Sequence, residues 1–342
     1  MIFTKLRYNS RGSILLMALW ILGLLVVFSV HIGLKLRQRI TLLSTIESRS
    51  RLRHISEAGV KKAVAALRYD LGKSGGFYTP YGKFYRHNSQ ERFKDIPLGN
   101  GSYSIEYSSF EGKGFKRRFG FVDEERKLNI NLAHFKEIEK LISRVTALTE
   151  NEAQVLALSI IEWRELGDTE LEGFFSDDYY ATQKDPYEPK NAQFEFLDEL
   201  KLVRNVTHTV FGQLKPFITV YGNGSVNINT ASPQVLYAIG FTDELIEKIL
   251  FVRNGADGNP NTVDDYVFMR TYDVASEMRS FVKLSTEEVG LIDAINNLGK
   301  ISTNSFYYNI ASISQLGADK RQMRVETVYN SVMNRFEYWR EN

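Results

Sequence analysis

Between Ser13 and Leu34 the chain is almost without polarity; only Ser13, Ser29 and His31 interrupt the run. A helix rises 1.5 Å per residue, so about 20 such residues span the roughly 30 Å hydrocarbon core of a bilayer. The run therefore reads as one membrane-crossing helix near the N-terminus. It is preceded by Lys5, Arg7 and Arg11 with no acid among them, and by Gly12. The positive-inside tendency keeps this arm cytoplasmic and sends the rest of the chain across. A secretory signal has its small-residue cleavage site after the apolar stretch. Here the small residue, Gly12, stands before it, so cleavage between Gly12 and Ser13 leaves the helix on the mature protein.

The residues after the run are enough for more than one domain. The formal net charge of the 342-residue chain is +2, which points neither toward nor away from nucleic acid. There is no cysteine, so thiolate metal sites and a cysteine nucleophile are excluded. The five histidines, at 31, 54, 87, 134 and 208, include no pair at metal-ligand spacing. No nucleophile-elbow motif or complete nucleotide loop is present, and the chain reads as a protein that is not an enzyme.

The helix continues past the apolar run. Leu52, Ile55, Gly59, Ala63 and Ala66 recur at helical spacing, with Lys and Arg crowding the other positions. Tyr103, Ile105 and Tyr107 alternate, as do Phe115, Arg117, Phe119 and Phe121, which predicts a β-hairpin around Glu111 to Gly114. Phe306, Tyr308 and Ile310 alternate, Gly317 to Lys320 turn, and Met323, Val325, Thr327 and Tyr329 alternate again. Between these β regions, 136–166, 194–214, 232–254 and 285–298 read as helices. The economical reading is a helical domain inserted into a sheet built from the flanking strands.

An internal repeat lies inside that insert. Lys127-Leu128-Asn129-Ile130-Asn131-Leu132-Ala133 recurs as Ser225-Val226-Asn227-Ile228-Asn229-Thr230-Ala231, each copy ahead of an amphipathic helix. In the second copy Thr230 and Ser232-Pro233 supply N-cap chemistry. The asparagines are expected to cap and bridge turns through local backbone hydrogen bonds.

These motifs, in order, resemble protein K of the type II secretion system. The leader-like N-terminus, Asp123-Glu124, Asn129-Ile130-Asn131, Glu162-Trp163, Asp177-Asp178-Tyr179-Tyr180, Tyr187-Glu188-Pro189-Lys190-Asn191, Leu197-Asp198-Glu199-Leu200 and Ile228-Asn229-Thr230-Ala231 carry the likeness. The fifth residue after Gly12 is Met17, where most pilins and pseudopilins have Glu and protein K usually does not. The resemblance implies an α+β fold: a pilin-like N-terminal transmembrane helix packed on a small antiparallel sheet. A large all-helical domain of helix-hairpin-helix or SAM-like type would be inserted between the strands. It implies a prepilin-type leader over 1–12, a transmembrane helix over 13–34, pilin-like parts over 35–122 and 301–342, and the insert over 123–300. Prepilin peptidase would cut between Gly12 and Ser13. The protein would be a minor pseudopilin in the bacterial inner membrane, its N-terminus cytoplasmic and its bulk periplasmic. It would cap the pseudopilus tip beside I- and J-like minor pseudopilins and help initiate assembly for protein export.

Family motif residues with a structural role are then Asn129, Asn131, Trp163, Tyr180, Asn191, Asn227, Asn229 and Thr230. Similar proteins carry calcium near the acidic stretch, which makes Glu165, Asp168, Glu170, Asp177 and Asp178 the candidate ligands here. The usual Trp-x-Asp-x-Asp pattern is altered to Trp163-Arg164-Glu165-Leu166-Gly167-Asp168. No other cofactor is implied. A second oxygen-rich loop, Asp257 to Asp265, lacks the Gly and Glu of an EF-hand and reads as an Asx-turn loop. The alternative function is a membrane-anchored helix-hairpin-helix protein for DNA binding or uptake, the hairpin running from Asn229 through Arg253. Asp243, Glu244 and Glu247 beside that hairpin would repel phosphate, so no nucleic-acid partner is expected.

Overall fold

The computed structural model describes residues 11–74, 90–111, 114–164, 177–258, 264–317 and 321–342. Helix α1 spans Arg11–Ser74. From Ile14 it is long and apolar enough to cross a membrane. Gly12 and Ser13 lie in its first turn. The chain divides into two compact units, Met1–His54 and Ile55–Asn342. In the first, the side chains from Ile14 to Ile46 are almost all exposed, Leu, Val and Ile included, as suits a surface made for lipid or for other helices.

In the second unit the last part of α1 lies on a sheet. Ile55, Val60, Ala63, Ala66 and Leu67 are buried, in one core with Tyr103, Ile105, Phe121, Tyr308, Ile310, Val325 and Tyr329. Small residues let the helix come close. A Cβ built on Gly59 would collide with Ser312 Oγ and sit 2.9 Å from the Tyr103 ring. Polar contacts fix the helix along the strands: Ser56 Oγ donates to the Met323 carbonyl at 3.2 Å, and Arg68 Nε to Tyr329 Oη at 3.0 Å.

After a short helix α2 (Gln90–Phe93) come strands β1 (Ile96–Leu98), β2 (Gly101–Glu111), β3 (Gly114–Phe119) and β4 (Val122–Asp123). The C-terminal strands are β9 (Tyr307–Leu316), β10 (Arg321–Asn330) and β11 (Arg335–Glu341). Among the described residues they form one antiparallel sheet, ordered β1-β2-β9-β10-β11, with β3 paired to β2 and β4 to β9. The two alternating hairpins of the sequence are thus present, joined at β2 and β9 with Gly101 opposite Leu316 and Ile105 opposite Ser312. Strand β11 was not anticipated. Its sequence, Arg-Phe-Glu-Tyr-Trp-Arg-Glu, mixes charge with aromatics and leaves few side chains buried, the pattern of a sheet edge.

Between β4 and β9 lies the insert. It holds β5 (Leu128–Asn129), α3 (Phe135–Val145), α4 (Glu150–Arg164), α5 (Asp177–Ala181), a 3-10 turn at Leu197–Leu202, α6 (His208–Leu214) and β6 (Ile218–Thr219). Then follow β7 (Val226–Asn227), α7 (Pro233–Ala238), α8 (Asp243–Arg253), α9 (Val274–Arg279), α10 (Thr286–Asn297) and β8 (Ile301–Ser302). The helices share one core. The long helical reading of 136–166 is broken at Thr146, whose extended backbone ends α3. The expected insert is helical in bulk, but it also carries two parallel strand pairs, β5 with β6 and β7 with β8. Each strand is two residues long, too short to show any alternation.

The close approach at Gly59 makes a sharp test. Helix propensity alone favours a larger residue there. The contacts predict instead that Gly59→Val lowers stability by about 1–3 kcal/mol through overpacking, read as a fall in the melting temperature of the detergent-solubilised chain.

Candidate functional site

The two repeat copies fold into the same device. In the first, Leu128 N–H donates to the Phe217 carbonyl and Ile130 N–H to that of Thr219. In the second, Val226 N–H donates to Lys300 and Ile228 N–H to Ser302. Asn129 Oδ1 accepts from Asn131 N–H at 2.9 Å, and Asn227 Oδ1 from Asn229 N–H at 3.0 Å. These are the local Asx turns expected of the motif. The second asparagine of each copy reaches much further. Asn131 exchanges two hydrogen bonds with the Phe194 backbone, and Asn229 does the same with Phe268. An arginine at the end of the following hairpin closes each device. Arg164 donates to the Ile130 carbonyl, and Arg253 to those of Ile228 and Ala231. The side chain of the second asparagine thus does the work of a β-pairing on a loop that has none, and all four asparagines are buried.

The remaining motif residues are part of this framework. Trp163 is buried among Tyr180, Tyr187 and Phe194, with ring centroids 5.9, 6.3 and 6.4 Å away. Tyr180 Oη accepts from Arg204 N–H. Asn191 takes a positive φ of 51°, a conformation asparagine tolerates better than most side chains. Ser232 caps α7, with Pro233 in its first turn. Thr230 does not share that capping. Its hydroxyl donates to Asp123 Oδ2 at 2.8 Å, because the buried carboxylate is the stronger acceptor in reach.

Asp123 belongs to an acidic triplet where the insert leaves the sheet. Asp123, Glu124 and Glu125 are each 3% exposed or less. Asp123 Oδ2 also accepts from Ser305 Oγ at 2.6 Å, while Oδ1 has no hydrogen-bond partner. Burial pushes the Asp123 carboxyl above its usual range, against the pull of Ser305, Arg126 and Thr230. Glu124 pairs with Lys127 at 2.8 Å and accepts from Thr219 Oγ1 at 2.6 Å. Glu125 accepts from the N–H groups of Phe306 and Tyr307, both at 3.1 Å. Burial, then the charge of Asp123, push its pKa up to about 8. Tyr308, buried beside them, is pushed up by burial and by both acids. The sequence showed only Asp123-Glu124, through the family resemblance; Glu125 was missed, and Thr219, Ser305, Phe306 and Tyr307 lie 95 to 182 residues from the acids they bond.

Residues 124–223 match the family model of type II secretion system (T2SS) protein K. The matched segment begins inside the acidic triplet, contains the first asparagine device and ends just ahead of β7; the second device follows it. No curated protein matches the chain by sequence. Among solved structures it is similar to a chain of the GspK-GspI-GspJ complex from the type 2 secretion system of enterotoxigenic Escherichia coli. The TM-score is 0.60 at 14% identity, over 87% of this chain and 98% of that chain. The α+β plan of long N-terminal helix, antiparallel sheet and many helices is thus that neighbour's fold.

Of the candidate calcium ligands, Glu165, Asp168 and Glu170 lie outside the described residues. Asp177 and Asp178 open α5, and their side chains lie outside the description. In the second oxygen-rich loop, Asp264 Oδ2 accepts from Ala256 N–H at 2.7 Å and from Asp257 N–H at 3.2 Å. That closure is a turn's own hydrogen bonding.

The hairpin read against nucleic acid has its counterpart in the first copy. α3 packs on α7, and Arg144 pairs with Asp243 across the two hairpins. At the start of α4, Thr149 N–H donates to the Glu152 carboxylate and Glu152 N–H donates to Thr149 Oγ1. At the start of α8, Leu245 N–H donates to Thr242 Oγ1. Acids stand in both first turns: Glu150 and Glu152, Asp243 and Glu244.

Two outcomes follow. Asn229→Ala strands the Phe268 N–H and C=O in the core and should cost about 2–3 kcal/mol; Asn131→Ala should cost a similar amount, both read by denaturant unfolding. Glu125 has a folded pKa near 8 against 4.5 for the free group, so its stabilising contribution is complete below pH 4.5 and is lost as pH rises toward 8. Glu125→Gln should remove that loss, raising the melting temperature at pH 8 relative to the parent and little at pH 4.5.

Proposed function

We propose that the chain is a minor pseudopilin of the type II secretion system, acting by assembly and not by catalysis. The observation that carries this reading is the segment matching protein K, set between the strands of a sheet that packs on the N-terminal helix. The apolar part of α1 anchors the protein in the bacterial inner membrane, with the arm before Gly12 in the cytoplasm and the bulk in the periplasm. Prepilin peptidase removes residues 1–12. The partners are I- and J-like minor pseudopilins, in keeping with the complex in which the structural neighbour was crystallised.

Two features support a position at the pseudopilus tip. The insert supplies most of the residues of the second unit, bulk that would hinder a subunit added above it. Met17 offers no carboxylate to an incoming subunit's N-terminal amine. A tip subunit needs none, and an unpaired carboxylate in lipid is costly. Bound calcium at Glu165, Asp168, Glu170, Asp177 and Asp178 is part of the proposal, since oxygen-rich acidic loops suit that ion.

The DNA-uptake reading has less behind it. Helix N-termini attract phosphate through free N–H groups, and here the first turns are capped by Thr149, Glu152 and Thr242 and flanked by acids.

N-terminal sequencing of the protein from cells with and without prepilin peptidase tests the assignment. The expected result is a new N-terminus at Ser13 only where the peptidase is present. An N-terminus at Met1 in both strains would overturn the pseudopilin reading.

A further inference from the structure

An open cavity of about 410 Å³ lies where the second repeat meets the start of β9. Glu125 and Asn304 lie in its wall, and Met269, Tyr272 and Phe306 form apolar parts of its lining. Those three side chains are 42%, 65% and 43% exposed, so the apolar surface faces outward around a polar interior. Two acceptors in its wall are left without a cation or any partner. The Glu125 carboxylate has two backbone N–H partners and no cation among the described residues. Asn304 Oδ1 is buried without a partner, and so is Asp123 Oδ1 in the adjacent acid. Of the basic groups near the cavity, Lys127 pairs with Glu124, Arg126 acts on Asp123, and Arg270, itself in the cavity lining, faces Asp273 at 3.9 Å and the Tyr272 ring at 5.8 Å.

We propose that this cavity receives a basic side chain, arginine or lysine, presented by a neighbouring minor pseudopilin. The proposal rests on the pseudopilin reading above and deepens it by naming a contact. A guanidinium or ammonium carries only donors, which complements a wall of carboxylate and amide oxygens. Its apolar stem would lie against Met269, Tyr272 and Phe306, as basic side chains lie along apolar surface elsewhere. A bare divalent ion is the poorer fit. It needs six or more oxygens closing around it, whereas this cavity is wide, open and half apolar. Pairing a cation with the buried Glu125 would also relieve the charge that burial and Asp123 disfavour.

The test uses the full chain in detergent, co-expressed with the I- and J-like minor pseudopilins from the same cells, with the affinity of the purified complex measured. Glu125→Gln keeps the shape and removes the charge, and it should weaken the complex about tenfold. Tyr272→Ala alters an exposed side chain that the core does not need, and should weaken it several-fold. Equal affinity for both variants and the parent would overturn the cavity proposal while leaving the pseudopilin reading standing. Absence of any complex with the parent chain would overturn both. A rise in melting temperature on adding calcium to the chain alone, lost in Glu125→Gln, would overturn the proposal in favour of a metal site.

Discussion

The insert leaves the sheet at Asp123 and the chain rejoins it at Tyr307, and everything between depends on holding those two points together. The backbone does part of this: Val122 and Asp123 pair with Asn309 and Tyr308, and Glu124 N–H donates to the Tyr307 carbonyl. Were the intervening chain flexible, closing a loop of roughly 180 residues would cost about 4–5 kcal/mol. The insert avoids most of that by having its own core, which delivers its two ends side by side. Asn227 N–H donates to the Glu125 carbonyl at 2.8 Å, and β7 pairs with β8 just before the return. The acidic triplet then fastens the ends to each other through Ser305, Phe306 and Tyr307. Burying three carboxylates in one place is unfavourable by itself. They persist here because the loops around them present N–H and O–H donors that nothing else would satisfy.

Much of the fold was legible because its signals are local. Alternation over Tyr103 to Phe121 and over Phe306 to Tyr329 marks long strands, and the spacing of Ile55, Gly59, Ala63 and Ala66 marks the buried side of α1. The asparagine repeat was visible as a repeat, and its Asx turns span only two residues. What lay beyond reach was any contact made across the chain. Nothing in Asn129-Ile130-Asn131 announces Phe194 as the partner, or Arg164 as the closing group. Thr230 looked like a helix cap because Ser and Thr before a helix commonly are. Its carboxylate partner is 107 residues away. Two-residue strands carry no period, so β5 to β8 left no trace in a helical reading. The acidic stretch from Glu165 to Glu172 lies outside the described residues.

The two devices are alike in skeleton and different in attachment, and that difference says how the insert is built. In the first, Asn129 Nδ2 donates to the carbonyls of Tyr221 and Gly222, so its bonds stay within the insert. In the second, Asn227 Nδ2 donates to Ser305 Oγ at 2.8 Å and approaches Asp123 at 3.4 Å. The second copy is therefore fixed directly to the sheet. The first leans on the second, by α3 on α7 and by the part-buried pair of Lys300 with Glu137 at 2.8 Å, and its segment also meets the sheet through Arg340 with Asp198 at 3.3 Å and the rings of Phe196 with Tyr338 and Phe115 with Phe217. Loosening Asn227 would loosen the second copy's tie to the sheet, whereas loosening Asn129 would loosen bonds inside the insert. The open cavity, whose wall includes Glu125 and residues 301–304 around β8, lies beside that tie. A recess meant to accept a group from another protein gains from such a position, because a rigid wall loses little conformational freedom when it is filled.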